Sequence, residues 1–261
     1  MNLWQGILLG LVQGLTEFLP VSSDGHIAVI GTITGVRTPG VFVEVALHVA
    51  TLGSILVVYG KRFARLIAGV LRRQPEDVRY AGLLLLGMIP AGVIGVLLED
   101  VVAQAFNSLW VAGAGFLVTG TALWSTRRLA AAGADRPTPA AALLIGLAQA
   151  LAILPGVSRS GMTISSGLWL GMGTIAAADF SFLMAIPVIA GAGLVESRNL
   201  SADVAQVGAL PLLAGCLVAF VAGVFAIRFL VAMLRRGRFH AFAPYCFAVG
   251  VLTLAYALWH V

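Results

Sequence analysis

The chain has 261 residues, of which 60% are hydrophobic and only 10% are charged, and its mean hydropathy is +1.00. This composition excludes a water-soluble domain and indicates a polytopic membrane protein. The formal net charge of +5 does not indicate nucleic-acid binding, because 13 of the 16 basic residues lie in three clusters that flank apolar runs. The positive-inside rule places these clusters, within residues 61–79, 127–136 and 228–238, in the cytoplasm.

The first apolar region, residues 3–36, is not continuous enough to be an ordinary membrane span. An apolar run stops at a polar segment around Pro20, and a second, shorter apolar run follows it. Irregular backbone at membrane depth is stable only where it is buried in protein or lines a wet cavity. We therefore predict a re-entrant helical hairpin, which enters from the outer face because the next span, 42–60, ends at a basic cluster.

The first hairpin carries two carboxylates, Glu17 and Asp24. An ionised side chain at membrane depth costs about 3 kcal/mol unless it is paired or hydrated, so two of them favour a cation or a polar substrate. Gln13 and Glu17 are four residues apart and share a helix face, a spacing that suits one metal ion between an amide oxygen and a carboxylate. In the alternative interpretation, both side chains bond neighbouring helices or backbone that Pro20 leaves without a partner.

Two serines and a histidine complete the polar segment of this hairpin. Ser22 and Ser23 follow Pro20 where a helix can begin, so either can be an N-cap. For Ser22 capping is favoured over chemistry, and contact with the substrate phosphate is its second predicted role. Ser23 and His26 are three residues apart, so a helix or turn would bring the imidazole near the hydroxyl, as in a base that activates a weak nucleophile. A lone histidine is more often a satisfied core residue, but the polar neighbours of His26 favour a functional role.

Six continuous apolar stretches are long enough to cross a bilayer, since about 20 residues suffice. Full spans are predicted at 42–60, 80–98, 108–126, 180–195, 206–227 and 241–259. Residues 130–139, rich in Ala, Gly and Pro, are predicted to form a cytoplasmic loop. Cys216 and Cys246 lie far apart inside apolar runs, so packing is favoured over a disulfide or a metal site.

A second interrupted region, residues 140–173, is predicted to be a re-entrant hairpin that enters from the cytoplasm. Its polar segment contains five residues typical of an anion site: Gly156, Ser158, Arg159, Ser160 and Gly161. Backbone N–H groups, hydroxyls and a guanidinium converge there at the positive end of a helix dipole, which suits phosphate. The alternative is that Arg159 snorkels to an interface. It is disfavoured because no other basic residue lies between Arg136 and Arg198.

The two hairpins resemble each other in sequence, since segments 10–13 and 19–22 parallel segments 146–149 and 154–158. Two such halves with opposite orientation form an inverted-topology repeat, whose broken helices meet near the midplane and build the site. We predict an all-α polytopic membrane protein with six full spans and two re-entrant hairpins in a single domain. The predicted boundaries are 1–261 for the domain, about 1–126 for the first repeat and about 140–261 for the second.

Together the hairpins supply a carboxylate for a divalent cation, a Ser/His pair and an arginine clamp for phosphate, all within reach of lipid. This set predicts hydrolysis of a phosphate or diphosphate attached to a lipid. Charge neutralisation would then provide most of the catalysis.

Two long motifs, residues 13–26 and 155–161, resemble those of the undecaprenyl-diphosphate phosphatase family, also called bacitracin resistance proteins. The resemblance covers nearly the whole chain, including residues 178–183. It implies an inverted-repeat fold and an inner-membrane enzyme that removes the terminal phosphate of undecaprenyl diphosphate, which recycles the carrier lipid for peptidoglycan synthesis. It also implies a divalent cation, Mg²⁺ or Ca²⁺, a site that faces the periplasm, and a homodimer.

The same resemblance assigns roles to individual residues. The family's Glu-or-Gln and Glu pair falls on Gln13 and Glu17. Its candidate nucleophilic serine, its histidine and its phosphate-binding arginine fall on Ser23, His26 and Arg159.

Three residues depart from the family pattern. Asp24 replaces the common Thr, and because Gln13 is the amide variant of the first acid, Asp24 is a candidate for the missing carboxylate ligand of the metal. Thr174 stands where members often have Arg, and Cys246 stands where a Tyr-Arg pair often ends. The last two departures concern packing or headgroup contact rather than the reaction class.

The resulting hypothesis is that Arg159 and the N–H groups of the second hairpin hold the diphosphate, while Glu17 and its neighbours position the cation. Ser23 or a water attacks the terminal phosphorus and His26 shuttles the proton, and the sequence leaves open whether Ser23, His26 or water is the nucleophile. The rival hypothesis is a transporter or flippase of polyprenyl phosphate, because inverted repeats with broken helices are a transporter architecture. A transporter needs the phosphate clamp but not the Ser/His pair. The third hypothesis is a non-catalytic membrane scaffold.

Overall fold

Helices make up almost all of the described chain. The structure, a computed structural model, describes residues 1–34, 41–129, 132–196 and 207–259. Within those ranges it contains eleven α-helices and no β-strand, which confirms the predicted all-α class. They are α1 (Leu3–Phe18), α2 (Ser23–Thr34), α3 (Val41–Leu71), α4 (Pro75–Leu97), α5 (Glu99–Phe106), α6 (Leu109–Ser125), α7 (Pro139–Leu151), α8 (Arg159–Trp169), α9 (Thr174–Glu196), α10 (Ala209–Arg235) and α11 (Ala243–Trp259).

Six helical segments in the described ranges are long and apolar enough to cross a membrane, which confirms the predicted number of spans. They are Phe42–Leu71, Pro75–Leu97, Leu109–Arg128, Thr174–Leu194, Ala209–Arg235 and Phe239–Trp259. The first and fifth continue well past their predicted ends at 60 and 227, because the apolar run passes into Arg, Ala and Leu, which are strong helix formers. The predicted end of the first hairpin at 36 and the predicted start of the fifth span at 206 lie outside the described residues.

Both interrupted regions are pairs of short helices, as predicted. Helix α1 ends at Phe18, and α2 begins four residues beyond Leu19. Pro20 has no N–H to donate and Ser22 has φ of +66°, so the α1 helix cannot continue through this turn. In the second hairpin, residues 152–158 separate α7 from α8. The two helices of each hairpin pack against each other.

The packing of the helices is reciprocal between the two halves of the chain. Helix α1 packs on α10, α7 packs on α4, and α6 packs on α11. Small residues allow the first of these contacts, since a Cβ added to Gly10 would lie 2.1 Å from the Gly215 carbonyl oxygen. Each hairpin therefore rests on the second span of the other half. This pattern is the one expected of two equivalent repeats, and the inverted repeat itself stays a prediction.

The polar segments of the two hairpins meet inside the bundle. A Cβ added to Gly25 would lie 2.7 Å from the Gly156 Cα, so the two backbones touch. Gly156 has φ of +86°, a left-handed conformation that favours glycine. Thr119 of α6 fixes this loop, because its hydroxyl donates to the Gly156 carbonyl at 2.9 Å and accepts from the Ser158 N–H at 2.9 Å.

The two cysteines are both free thiols, which agrees with the packing role favoured from the sequence. Cys246 is buried, and its Sγ lies 3.5 Å from the Pro20 carbonyl oxygen, beneath the turn of the first hairpin. Cys216 lies 3.7 Å from the Ala46 carbonyl oxygen. The Cys246 side chain, one of the departures from the family pattern, therefore packs against the turn of the first hairpin.

Candidate active site

A cavity of about 780 Å³ lies where the hairpins meet. Its polar wall comes from both hairpins and from α3, and contains Thr16, Glu17, Ser22, Ser23, Asp24, Glu44, His48, Gln149, Ser158 and Arg159. Its apolar wall comes mainly from α4 and α9 and includes Met88, Val96, Val188 and Ile189. The cavity therefore offers a charged pocket for a polar group next to an apolar surface for a hydrocarbon chain.

Glu17 is the centre of the polar wall, with its side chain only 5% exposed. One carboxylate oxygen, Oε1, accepts from the Arg159 guanidinium of the other hairpin. The other, Oε2, accepts from the Ser23 hydroxyl at 2.8 Å and from the Gln13 amide at 3.1 Å. The cost of burying this carboxylate is offset because its oxygens have charged and neutral donors on both sides.

Arg159 reaches Glu17 from the first residue of α8. Ser158 caps this helix, because its hydroxyl accepts from the Gly161 N–H at 3.1 Å. The Ser160 hydroxyl lies 3.3 Å from that of Ser158 and donates to the Leu19 carbonyl at 3.4 Å, which ties the two hairpins together. The predicted anion-binding residues thus lie together at one helix start, and their role in binding phosphate stays a prediction.

His48 of α3 is a site residue that the sequence interpretation missed. Its Nε2 lies 3.3 Å from Glu17 Oε2 and 3.8 Å from Asp24 Oδ1. Its Nδ1 lies 2.8 Å from the Glu44 carbonyl oxygen, so this nitrogen carries a proton. When Nε2 is protonated as well, the ring donates to the Glu44 carbonyl and to the Glu17 carboxylate, and it lies within ion-pair distance of Asp24. The sequence signal was a histidine inside a predicted membrane span, one helical turn after Glu44, a position that is expensive for an ionisable side chain.

His26 does not contact the Ser23 hydroxyl, so the predicted pairing of these two side chains is wrong in this structure. The His26 Nδ1 lies 2.7 Å from the Ser22 carbonyl oxygen, and Nε2 lies 2.7 Å from the Tyr245 hydroxyl. The imidazole stacks on Tyr245 and meets Phe116 edge-on. His26 is not among the residues that line the cavity.

Ser22 adopts the capping role that the sequence favoured. Its hydroxyl accepts from the Gly25 N–H at 3.3 Å at the start of α2. The side chain is buried but lines the cavity, so contact with a bound phosphate stays a prediction. Thr174, the other departure from the family pattern, begins α9 and is buried.

The predicted metal ligands fit the chemistry of a hard divalent cation. Gln13, Glu17 and Asp24 supply only oxygen donors, which Mg²⁺ and Ca²⁺ prefer. In the described chain, the buried Gln13 Oε1 and both polar atoms of the Gln149 amide have no hydrogen-bond partner. The described residues contain no group of three His, Cys, Asp or Glu side chains able to hold a metal by themselves. A cation here would therefore need amide, water or phosphate oxygens as further ligands, which is the usual arrangement for Mg²⁺.

Comparison with known proteins gives the same family across nearly the whole chain. Residues 6–252 match the family described as bacitracin resistance protein BacA. The undecaprenyl-diphosphatase of Desulfosudis oleivorans is 41% identical over 266 residues, covering 96% of this chain and 97% of the relative. Those of Desulforapulum autotrophicum and Bacteroides thetaiotaomicron are 37% and 38% identical, each covering 97% of this chain and 98% of the relative.

Proposed function

Because the chain belongs to the bacitracin resistance protein BacA family, we propose that it is an undecaprenyl-diphosphatase of the membrane. It hydrolyses undecaprenyl diphosphate to undecaprenyl phosphate and inorganic phosphate. The observation that carries this conclusion is the Glu17–Arg159 pair, which joins the two hairpins in a cavity with an apolar wall. A lipid diphosphate needs both halves of such a cavity, one for its charge and one for its chain.

The substrate diphosphate occupies the polar wall in this proposal. Arg159 presents a planar guanidinium with several N–H donors, which matches two oxygens of one phosphate. Its side chain is 19% exposed, so part of the guanidinium faces the cavity while Glu17 holds it in place. The polyprenyl chain then runs along α4 and α9. Recycling of the carrier lipid for peptidoglycan synthesis follows from this reaction.

The contact between Ser23 and Glu17 supports a nucleophilic attack by the serine. Because the Ser23 hydroxyl already donates to Glu17 at 2.8 Å, the carboxylate is placed to accept its proton. The Ser23 Oγ would form a bond to the terminal phosphorus while the bond from phosphorus to the bridging oxygen breaks. Undecaprenyl phosphate leaves with the electron pair, and water then hydrolyses the phosphoserine. In the alternative, a water at the same place attacks directly.

The role of His26 as a proton shuttle stays a prediction, since its Nε2 contacts the Tyr245 hydroxyl. His48 lies closer to the proposed chemistry, and as long as no divalent cation is bound a protonated His48 would balance the negative charge of Glu17 and Asp24. It would also keep the Glu17 carboxylate oriented toward Ser23. The arrangement of Arg159, His48 and Ser23 around Glu17 therefore supports a carboxylate base held by two cations.

A divalent cation, Mg²⁺ or Ca²⁺, is proposed as the cofactor, held by Glu17 and Asp24 with the Gln13 amide oxygen. Gln13 donates its amide N–H to Glu17, and its Oε1 has no hydrogen-bond partner among the described residues, so a flip of the amide would turn this oxygen toward the cation. When bound, the cation would neutralise charge that develops on the phosphate oxygens during transfer.

We propose that the cavity faces the periplasm of a bacterial inner membrane. The basic clusters support this orientation, because they lie at the other end of the bundle and favour the cytoplasm. Lys61 follows His48 by thirteen residues of α3, which corresponds to about 20 Å along the helix. The homodimer implied by the family resemblance stays a prediction.

The decisive experiment measures phosphate released from undecaprenyl diphosphate by the purified protein, with and without a chelator. We expect release by the wild type, loss of release with chelator, and recovery when Mg²⁺ or Ca²⁺ is added. Arg159→Ala should lower the rate about 10³-fold, because it removes a charge that stabilises the transferring phosphoryl group.

The matched control is Arg238→Ala, which removes an exposed arginine at the basic end of the bundle and should leave the rate unchanged. The enzyme hypothesis fails if the wild type releases no phosphate or if Arg159→Ala releases it at the full rate. A flippase of polyprenyl phosphate would give the first of these results.

A further inference from the structure

A second charged cavity lies at the opposite end of the bundle from Glu17. It has a volume of about 450 Å³ and lies between α3, α9 and α10. Five basic side chains line it, together with one carboxylate, that of Asp179: Lys61, Arg62, Arg65, Arg228 and Arg235. This cavity, which we call the basic cavity, is distinct from the active-site cavity because no lining residue is shared.

The basic cavity carries an excess of positive charge. Asp179 pairs with Arg62, which neutralises only one of the five basic side chains. The other four basic side chains are Lys61, Arg65, Arg228 and Arg235. In the ranges that the structure describes, no carboxylate lies within ion-pair distance of any of them. Four cations therefore face one small cavity without a fixed counter-charge.

The excess of positive charge is confined to the basic cavity, because a neighbouring cavity at the same end of the bundle has balanced charge. The neighbouring cavity, of about 920 Å³, shares Arg62, Arg65 and Asp179 with the basic cavity. Its lining contains four arginines and four carboxylates: Arg62, Arg65, Arg72, Arg136, Glu76, Asp77, Asp135 and Asp179. Charge is balanced there, so an anion would be attracted to the basic cavity instead.

Helix lengths indicate that the basic cavity lies about one hydrocarbon thickness from the starts of α3 and α10, the level expected for lipid headgroups. Arg228 is the twentieth residue of α10 and Lys61 is the twenty-first of α3. At 1.5 Å per residue, both lie about 30 Å along their helices, which is the thickness of the hydrocarbon core. Since α3 and α10 pack against each other, their basic side chains meet at this level.

Apolar side chains complete the lining of the basic cavity. Val58 of α3 precedes Lys61 by less than one turn, and Val231 and Ala232 of α10 lie between the two arginines of that helix. A guanidinium pair beside an aliphatic surface matches a phosphate with an attached acyl chain better than a free, fully hydrated phosphate.

We propose that the basic cavity binds the phosphate headgroup of an anionic phospholipid in the cytoplasmic leaflet, at the end of the bundle that carries the basic clusters. Arg228 and Arg235 of α10 and Lys61 of α3 are its ligands, while Arg62 remains paired with Asp179. Basic pockets between membrane helices on the cytoplasmic side are suited to such headgroups.

The test measures lipid binding to the purified full-length chain by native mass spectrometry. Delipidated protein in detergent micelles is offered equal amounts of phosphatidylglycerol and phosphatidylcholine, and the bound molecules of each are counted. We expect the wild type to retain phosphatidylglycerol in preference. In the double variant Arg228→Gln/Arg235→Gln, the ratio of bound phosphatidylglycerol to bound phosphatidylcholine should fall about tenfold, because each basic residue near the headgroups attracts anionic lipid.

The matched control is Arg128→Gln/Arg238→Gln, which removes the same charge from exposed arginines that do not line the basic cavity. It should keep the preference. If the double variant of α10 does not fold, Lys61→Gln tests the same cavity from α3. The charge-conserving variant Arg228→Lys/Arg235→Lys should bind more phosphatidylglycerol than the double glutamine variant does.

Unchanged preference in folded variants would overturn the proposal. A parallel arm adds millimolar inorganic phosphate to the wild type. If free phosphate displaces phosphatidylglycerol and binds with the same dependence on Arg228 and Arg235, the ligand is phosphate rather than a lipid, and the lipid assignment is wrong.

Discussion

Two buried carboxylates, Glu17 and Asp179, each pair with an arginine from a different helix. The Glu17–Arg159 pair joins the two hairpins, and the Asp179–Arg62 pair joins α9 to α3. The carboxylates are equally buried, with side chains 5% and 6% exposed. Their neighbours differ, since the groups around Glu17 all donate to the carboxylate, whereas the groups around Asp179 are mostly additional cations.

This difference shows that the neighbours of an ion pair, rather than the pair itself, decide its chemistry. Glu17 is held by donors from four helices, α1, α2, α3 and α8, and it accepts from the Ser23 hydroxyl at 2.8 Å, so it can take a proton from a nucleophile. Asp179 lies beside Arg62 and Tyr59, and the surplus of positive charge around it suits an anion. One pair therefore belongs to a reaction centre and the other to a proposed headgroup site.

The largest expected effect is a difference between two variants, each of which replaces one of the two carboxylates by its amide. Glu17→Gln should lower phosphate release about 10³-fold, equivalent to about 4 kcal/mol of transition-state stabilisation, because the proposed base and metal ligand is lost. Asp179→Asn, an equally isosteric change, should keep the rate within about threefold, because Asp179 lies outside the active-site cavity. Release is measured with undecaprenyl diphosphate at saturating and limiting concentrations.

If Glu17→Gln and Asp179→Asn lowered the rate of phosphate release equally, the assignment of only the Glu17–Arg159 pair to the reaction centre would be wrong. Melting temperatures of both proteins should be recorded beside the rates, since a fall in folded fraction could otherwise be mistaken for a loss of catalysis.

A smaller effect is expected at His48, which supports Glu17 without being proposed to touch the substrate. His48→Gln keeps a donor near Glu17 but removes the positive charge of a protonated ring, so kcat/KM should fall about 30-fold, as for residues that orient a ligand or base. His240→Gln is the matched control, because His240 lies in the 3₁₀ turn Phe239–Phe242, away from the cavity.

A structural role alone would lower the melting temperature of His48→Gln without changing the pH profile of the folded enzyme. A role in orienting Glu17 predicts a changed pH profile and little change in melting temperature. Full activity of His48→Gln would show that Glu17 needs no second cation.

The sequence predicted the helices and hairpins well, because long apolar runs and their interruptions are local properties of the chain. The ends of the spans were predicted less well. Helix α3 continues through Lys61 to Leu71, since arginine and leucine keep a helix intact after the membrane-spanning part ends. Hydropathy reports where the bilayer ends, whereas helix propensity decides where the helix ends.

The candidate site was predicted where its residues are close in sequence and missed where they are not. Gln13 and Glu17 share a helix face, and the spacing alone was enough to place them together. His48 is 31 residues from Glu17, and only the packing of α3 against the first hairpin brings them together. The Ser23–His26 contact failed for a different reason. The imidazole turns back to the Ser22 carbonyl and takes Tyr245, a residue of α11, as its second partner.

The smallest expected effect concerns the stability of the second pair. Arg62→Gln leaves Asp179 as a buried charge beside Tyr59, and we expect the free energy of unfolding to fall by about 1 to 2 kcal/mol. The loss should stay below the 3 to 5 kcal/mol typical of a fully buried pair because Arg62 is 45% exposed and water screens it. Adding Asp179→Asn should recover at least half of the loss, since the double variant buries no unpaired charge. Melting in detergent without anionic lipid measures both changes, and a double variant no more stable than Arg62→Gln would mean that Asp179 is stabilised by its other neighbours rather than by Arg62.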